Sequence, residues 1–343
     1  MHGPTAALLV SAVESGAASL VTELLVSGAD PNTTFDDDRP PNAAWGDADG
    51  MRYPGRGRPV LHLAVLCRHE PVVRVLLERG ATVDLEDQGE LTALVLAVRT
   101  EQVNVVRTLL EWGASPEALY PGGRLIHLPL LFWVAGAANL NDGAAAELIA
   151  LFAEFGADVE GGAEKGEATP LMAAASKSCL PCVEALLRAG ADPNRATAEG
   201  HTALTASFRT SMTGYSRRRR EGRAVGQALI NGGSDPGAGF NPVMLAAQQG
   251  RSKWVRAALK AGVPVDRALP DGRTALHLAA AGGFIAVVRA LLEAGADPNA
   301  TDRDGRTALS MALEEGAGST VWDRSRPVES DVGATIRVLE LAA

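Results

Sequence analysis

Between Pro270 and Asn299 the polar and apolar residues fall into an order that predicts a turn followed by two short helices. Asp271-Gly272 reads as the turn, since glycine accepts positive φ at little cost. Thr274 is placed to cap the next helix, and His277, one turn on, can bond back toward that cap. Ala279, Ala280 and Ala281 keep this helix thin, so a neighbour can approach closely, and Gly282-Gly283 break it. Val287, Val288, Leu291 and Leu292 then recur at helical spacing as the apolar face of a second helix. Gly295 ends that helix in the left-handed conformation, and Pro298 prevents any continuation. A helix pair this small cannot bury its apolar face alone, so it must stack on others like it.

Copies of the unit fill the chain. GADPN ends at Asn32, Asn194 and Asn299, with relatives GATVD, GASPE, GADVE, GSDPG and GVPVD between them. Their leading glycines are Gly28, Gly80, Gly113, Gly156, Gly190, Gly233, Gly262 and Gly295, separated by 52, 33, 43, 34, 43, 29 and 33 residues. That is a period near 33 with three insertions. A fixed apolar residue lies 19 positions upstream of six of these glycines: Leu9, Leu61, Leu94, Leu171, Val243 and Leu276.

The stretch DGRTALHLAAAGGFIAVVRALLEAGADPN resembles an ankyrin repeat nearly throughout, and RDGRTALSMA, EGHTALTAS, EATPLMAAA and RPVLHLAVL are weaker copies of its first half. The resemblance implies an all-α ankyrin-repeat solenoid of about nine helix-turn-helix units, with short β-hairpin fingers along one edge. The units end near Asn32, Asp84, Glu117, Glu160, Asn194, Gly237, Asp266, Asn299 and Ala343, forming a single domain over 1–343. Helix layers about 9 Å apart would make a stack roughly 80 Å long. Insertions near 33–57, 135–145, 209–223 and 316–330 are expected as surface loops, with a last helix from Asp331 to Leu341. Aligning Leu128-Pro129-Leu130 with Thr169-Pro170-Leu171 puts proline in the first turn of unit four. It also puts Phe132 and Trp133 where other units have small residues.

Charge narrows the choice of partner. Lys plus Arg total 32 against 41 Asp plus Glu, a formal charge of −9, which argues against nucleic acid or an anionic membrane. The longest uncharged run, Leu125 to Asn141, contains His127, Pro129, Gly136 and two Asn, too short and polar for the roughly 20 apolar residues of a spanning helix. No basic residue precedes the apolar stretch at the N-terminus, so no signal peptide is expected, and the location expected is cytoplasmic.

Motifs that carry chemistry are few. Three cysteines exclude a disulfide scaffold and suit a reducing compartment. Cys179-Leu180-Pro181-Cys182 is a CxxC, a motif that can bind a metal or form a redox pair, yet no second pair completes a metal site. Cys182 aligns with core Val287 and Cys179 with Phe284, so buried thiols are expected. Asp36, Asp37, Asp38, Asp47 and Asp49 crowd one insertion, but its DADG lacks the third Asp and the distant Glu of a calcium loop. His62 and His277 hold a structural place in their units. HExxH, GxSxG and phosphate-loop patterns are missing, so no catalytic residue, metal site or cofactor is expected. Arg217 to Arg220 with Arg223 form the one strongly basic cluster, expected to be a solvated, mobile loop.

The family uses its fingers and the concave face of its inner helices to hold other proteins, so the resemblance implies a non-catalytic scaffold for a partner protein. Finger candidates are Glu90, His201, Arg273, Arg303 and Arg306, with Asp87, Glu199, Asp271 and Asp304 just before them. Asp271 and Asp304 are expected to tie fingers together, leaving Arg273 and Arg306 for contact. Trp45, Arg52 and Tyr53 in the first insertion are residue types enriched at interface hot spots, and Phe132 and Trp133 are the unusual residues of unit four. The alternative, from a different class, has the 33–57 insertion folding over unit four into an aromatic-lined pocket for a small molecule or for catalysis.

Overall fold

A computed structural model describes residues 4–37, 55–121, 127–162, 168–198, 200–213, 216–235, 241–260, 263–318 and 331–343. Among these residues are eighteen helices in nine consecutive pairs, and the chain divides into two compact bodies, 1–165 with 169–191 and 166–168 with 192–343.

The first body holds five pairs: α1 (Pro4–Glu14) with α2 (Ala18–Val26), α3 (Val60–Leu66) with α4 (Glu70–Glu78), α5 (Ala93–Arg99) with α6 (Val103–Glu111), α7 (Leu130–Gly136) with α8 (Asp142–Glu154), and α9 (Pro170–Lys177) with α10 (Leu180–Arg188). First helices pack on first helices, α1 on α3, α3 on α5 and α7 on α9, and second helices on second, from α2 through α4, α6 and α8 to α10. The second body repeats this with α11 (Ala203–Thr213) and α12 (Ser216–Asn231), α13 (Pro242–Gln248) and α14 (Ser252–Lys260), α15 (Ala275–Ala281) and α16 (Ile285–Glu293), and α17 (Ala308–Gly318) and α18 (Val332–Glu340).

The recurring apolar position is the centre of each core. Leu9, Leu61, Leu94, Leu171, Val243 and Leu276 are all 2% exposed or less. Burial of such a side chain is worth about 1.5–3 kcal/mol. Ala279 and Ala280 are fully buried where α15 meets its neighbours, as a thin first helix requires. Gly295, at φ +88°, ends α16 in the left-handed region.

Helix starts explain the two hairpins. Thr92, Thr169 and Asn241 cap α5, α9 and α13 through their side chains. Before α3 and α7 the cap residue is Pro59 or Pro129, which offers no side-chain acceptor. There an extended strand runs straight into the helix. In β1 (Thr34–Asp37) against β2 (Gly55–Pro59), Thr34 pairs with Pro59 and Phe35 with Arg58; in β3 (Leu119–Pro121) against β4 (His127–Pro129), Leu119 pairs with Pro129. The carbonyls of Thr33 and Ala118 accept the first helical N–H groups, those of Val60 and Leu130, at 2.9 Å each.

Pro129 as cap corrects the alignment of unit four by one residue. Leu131 holds the repeated leucine place, Phe132 that of Met172 and His277, and Trp133 that of Ala173 and Leu278. A proline that prolongs β4 cannot also occupy the first helical turn. The expected loop at 209–223 is also corrected: residues 209–213 prolong α11 and 216–223 open α12, consistent with the good helix propensity of arginine. The extra length near 135–145 enters α8, which has 13 residues against 9 in α6.

Successive pairs are joined by a ladder that the GADPN-like segments supply. A side-chain oxygen near the end of one unit accepts a backbone N–H of the next: Asn32 from Thr82 (2.7 Å), Asp84 from Ser115 (3.1 Å) and Glu117 from Asp158 (2.7 Å) in the first body. Asn194 accepts from Asp235 (2.6 Å) and Asp266 from Asp297 (3.0 Å) in the second.

Candidate protein-binding surface at the finger turns

Each finger is a short turn that delivers the chain to the cap of a first helix. In the second body Asp302 organises one of them. Its Oδ1 accepts the N–H groups of Asp304 (3.0 Å) and Arg306 (2.9 Å), and its Oδ2 accepts Arg306 Nε (2.9 Å). Burial opposes the charge on Asp302, but these N–H groups and the guanidinium outweigh it and hold the carboxyl below its ordinary pKa. Arg306 also lies 3.1 Å from Asp304 and 3.8 Å from Glu314, so three carboxylates surround it. One finger earlier, Asp271 accepts both the N–H (3.0 Å) and the Nε (2.7 Å) of Arg273. Burial likewise works against Asp271, and its bonds to Arg273 lower its pKa overall.

This redistributes the expected roles. The Asp271 carboxylate grips its own Arg273; the inter-finger tie is the Asp271 carbonyl accepting the Arg303 N–H at 2.9 Å. Gly272 makes that approach possible. It sits at φ +85°, and a Cβ there would lie 2.9 Å from Arg303 N. Asp302, which the sequence did not single out, is the anchor of Arg306. Arg303 is exposed between the two anchored arginines. His201 is half-buried on the finger of α11, where its N–H reaches Thr197 Oγ1 at 3.1 Å.

In the first body Glu90 is not the counterpart of Arg273. Leu91, fully buried, precedes the Thr92 cap, and its carbonyl accepts the Asp87 N–H as that of Arg306 accepts the Asp302 N–H. Glu90 instead holds the place of Gly272 and Gly305, at φ +60° and exposed. The Gly89-Glu90 order places the glycine one residue earlier than in Asp271-Gly272, so Glu90 and not a glycine takes the positive φ.

The true counterpart of Arg273 in β2 is Arg58, after Gly57 at φ +62°. Arg58 crosses to the next finger: its Nε lies 3.8 Å from Asp87 Oδ2, with side chains only 8% and 0% exposed. Burial pushes the Asp87 pKa up, against the N–H groups of Leu91 and Gly89 and the Arg58 charge. Nearby His62 is held neutral. Burial, aided by Arg58, lowers its pKa to about 3, against a bond to the Leu85 carbonyl. The GRGRP sequence carries the same Gly-Arg signal as DGRT, so Arg58 was findable.

Trp133 stacks on Tyr120 of β3, ring centroids 4.2 Å apart at 12°, and Phe132 beside it is half-buried. One face of the indole is thus covered by the hairpin that leads into its own helix. A cleft of about 480 Å³ is lined by Asp84, Glu86, Glu90, Thr92, Ser115 and Leu119, and neither Phe132 nor Trp133 lines it. Trp45, Arg52 and Tyr53, and with them the pocket alternative, lie outside the described residues.

The CxxC expectation is corrected. Cys179 and Cys182 are fully buried, but as a disulfide and not as two thiols, because the start of α10 places them three residues apart on one turn. Among the described residues, no three or more His, Cys, Asp or Glu side chains are grouped to hold a metal ion, and no helix is long and apolar enough to cross a membrane.

The same periodicity is found in known proteins. The family model for ankyrin repeats in tandem matches residues 9–119, 219–302 and 244–322, and the single-repeat model matches 167–198. Ankyrin repeat protein nuc-2 of Neurospora crassa is 35% identical over 140 residues, 40% of this chain and 12% of that protein. Ankyrin repeat protein FPV014 of fowlpox virus is 31% identical over 114 residues, 33% of this chain and 22% of that protein. Mouse ankyrin repeat domain-containing protein 63 is 35% identical over 115 residues, 33% of this chain and 27% of that protein. The chain therefore spans only a small part of the length of these relatives. With capped helix pairs, left-handed terminal glycines and the side-chain ladder between units all in place, the matches leave one assignment: the chain belongs to the ankyrin-repeat family.

Proposed function

We propose that the chain is a non-catalytic scaffold, its nine units over 1–343 serving to recognise a partner protein through finger turns and inner-helix faces. Ankyrin repeats are in general protein–protein interaction modules. The observation that carries the reading is the pair of fingers in the second body, where Asp271 and Asp302 fix Arg273 and Arg306 and leave Arg303 exposed between them. Guanidinium groups held in place lose little freedom on contact, and alternating charge of this kind sets specificity and association rate. The contact set proposed is Arg273, Arg303, Arg306 and His201, with Glu90, Phe132 and Trp133 in the first body and Trp45, Arg52 and Tyr53 beyond β1.

Affinity capture from extract of the source cells, with wild type beside Arg303→Glu, tests this. A protein retained by wild type and lost by a variant with an unchanged melting curve supports it. Equal retention by both moves the interface off these fingers, and no specific protein with either form refutes the scaffold reading.

A further inference from the structure

In two units of the first body the residue capping the second helix ties its pair to the one before. His69 reaches the Glu14 carbonyl at 3.2 Å, and Gln102 reaches the Val65 carbonyl at 2.8 Å. At the start of α10 this place is Cys179, and Lys177 makes the tie instead. Its Nζ lies 3.0 Å from the Asp142 carboxylate and 3.4 Å from the Leu140 carbonyl. Cys179 turns onto its own helix, where its sulfur accepts the Cys182 N–H at 3.2 Å and is bonded to the Cys182 sulfur.

Helix geometry makes this pairing on its own. A side chain at the cap meets the residue three positions on, the relation used by the capping box. The two Cα atoms stand 5.3 Å apart, inside the separation a disulfide requires. The equivalent pairs His69 and Val72, Gln102 and Val105, Asn141 and Ala144, and Phe284 and Val287 share the spacing and cannot cross-link. Bond formation therefore closes a turn that is already in place and demands no rearrangement of the stack. Cys67, half-buried at the end of α3, stands outside the bond.

We propose that Cys179 and Cys182 form a reversible redox pair, a thiol–disulfide exchange site whose reactants are a low-molecular-weight thiol, RSH, and its disulfide, RSSR. In the oxidising direction one cysteine thiolate attacks a sulfur of RSSR and expels RS⁻, which takes up a proton. The second thiolate then attacks the protein sulfur of that mixed disulfide and expels the other RS⁻. Two electrons pass from the pair to RSSR, two RSH leave, and excess RSH runs the sequence backward. The Cys182 N–H that bonds the Cys179 sulfur is in place to hold it when the bond opens. Both sulfurs are buried, so exchange proceeds through opening of the first turn of α10. The site is independent of the finger surface.

The test equilibrates the purified chain in glutathione and glutathione disulfide at graded ratios, starting from both the reduced and the oxidised protein. Acid quenching, unfolding, alkylation with iodoacetamide and peptide mapping by mass spectrometry then count thiols at each cysteine. The expected result is that Cys179 and Cys182 pass together from two labels to none at an intermediate ratio, along one curve from both directions. Labelling of both at every ratio marks ordinary buried thiols and overturns the proposal. No labelling even in the fully reducing buffer marks a permanent cross-link and overturns it equally. Cys179→Ser and Cys182→Ser remove the second step, so at least one should accumulate the mixed disulfide with glutathione; trapping in neither rules out the exchange route.

Discussion

Two histidines at one structural place offer a controlled measurement of what the cap bond is worth. His277 in α15 and His62 in α3 each sit three residues after the cap, 0% and 1% exposed. His277 uses both ring nitrogens: Nδ1 accepts the Thr274 N–H at 3.2 Å, and Nε2 donates to the Arg306 carbonyl at 3.0 Å. His62 uses only Nε2, 3.0 Å from the Leu85 carbonyl, and its Nδ1 has no partner because the cap there is a proline. Replacing each by Ala removes the same volume and one comparable bond, so the cavity costs largely cancel. His277→Ala additionally strands the buried Thr274 N–H, whereas His62→Ala removes an unsatisfied nitrogen. An orphaned buried donor costs about 1–3 kcal/mol, so His277→Ala is expected to exceed His62→Ala by roughly 1–2 kcal/mol. Urea titration read by hydrogen exchange and mass spectrometry follows the α3 and α15 peptides separately. Equal losses, or a larger loss for His62→Ala, would refute the reasoning that the cap bond makes the difference.

Finger geometry predicts opposite outcomes for two substitutions. Gly272→Ala forces a Cβ to 2.9 Å from Arg303 N at φ +85°, so a loss of more than about 1 kcal/mol is expected, while Glu90→Gly relieves φ +60° and should gain about 1 kcal/mol, both read from thermal melts. Asn194→Ala deletes the acceptor of the Asp235 N–H at 2.6 Å and should cost about 1 kcal/mol, seen as faster amide exchange at Asp235. The His62 pKa, lowered from an ordinary 6.5 to about 3, makes the fold acid-sensitive, because only the unfolded chain takes up that proton as the pH falls between these values. Going from pH 7 to pH 5 should therefore cost wild type about 2 kcal/mol more than His62→Gln in urea midpoints. Asp87, raised by burial, acts with the opposite sign and is common to both proteins, so the comparison isolates the histidine.

The repeat was legible because its signals are local: a cap, a leucine, a left-handed glycine and a proline recur within one unit. Errors arose where a local signal was displaced by one place or depended on a neighbour. Gly89-Glu90 put a non-glycine at positive φ, which no propensity anticipates, and shifted the finger alignment. Pro129 fits either a cap or a first turn, and only its pairing with Leu119 in a hairpin decides between them. The charge of the arginine run suggests a loop, but its helix propensity is the better guide. Arg58 acts on the next finger and Tyr120 on the helix beyond its own hairpin, so their roles appear only once the chain is folded. The cysteine pair was aligned to the correct places, but placing two thiols in a core does not reveal that a helix start brings their sulfurs together.

The ladder between units has an evolutionary consequence. Its acceptors are side chains (Asn32, Asp84, Glu117, Asn194 and Asp266), but its donors are backbone N–H groups of Thr82, Ser115, Asp158, Asp235 and Asp297. A backbone donor is present whatever residue occupies the position, proline excepted. Each unit thus carries half of a joint that any following unit can complete, so duplication, loss or lengthening of a unit leaves the joints on either side chemically intact. The insertion between Asn32 and Thr82 illustrates the tolerance: the longest spacing in the chain is spanned by the same bond, at 2.7 Å, as the regular ones.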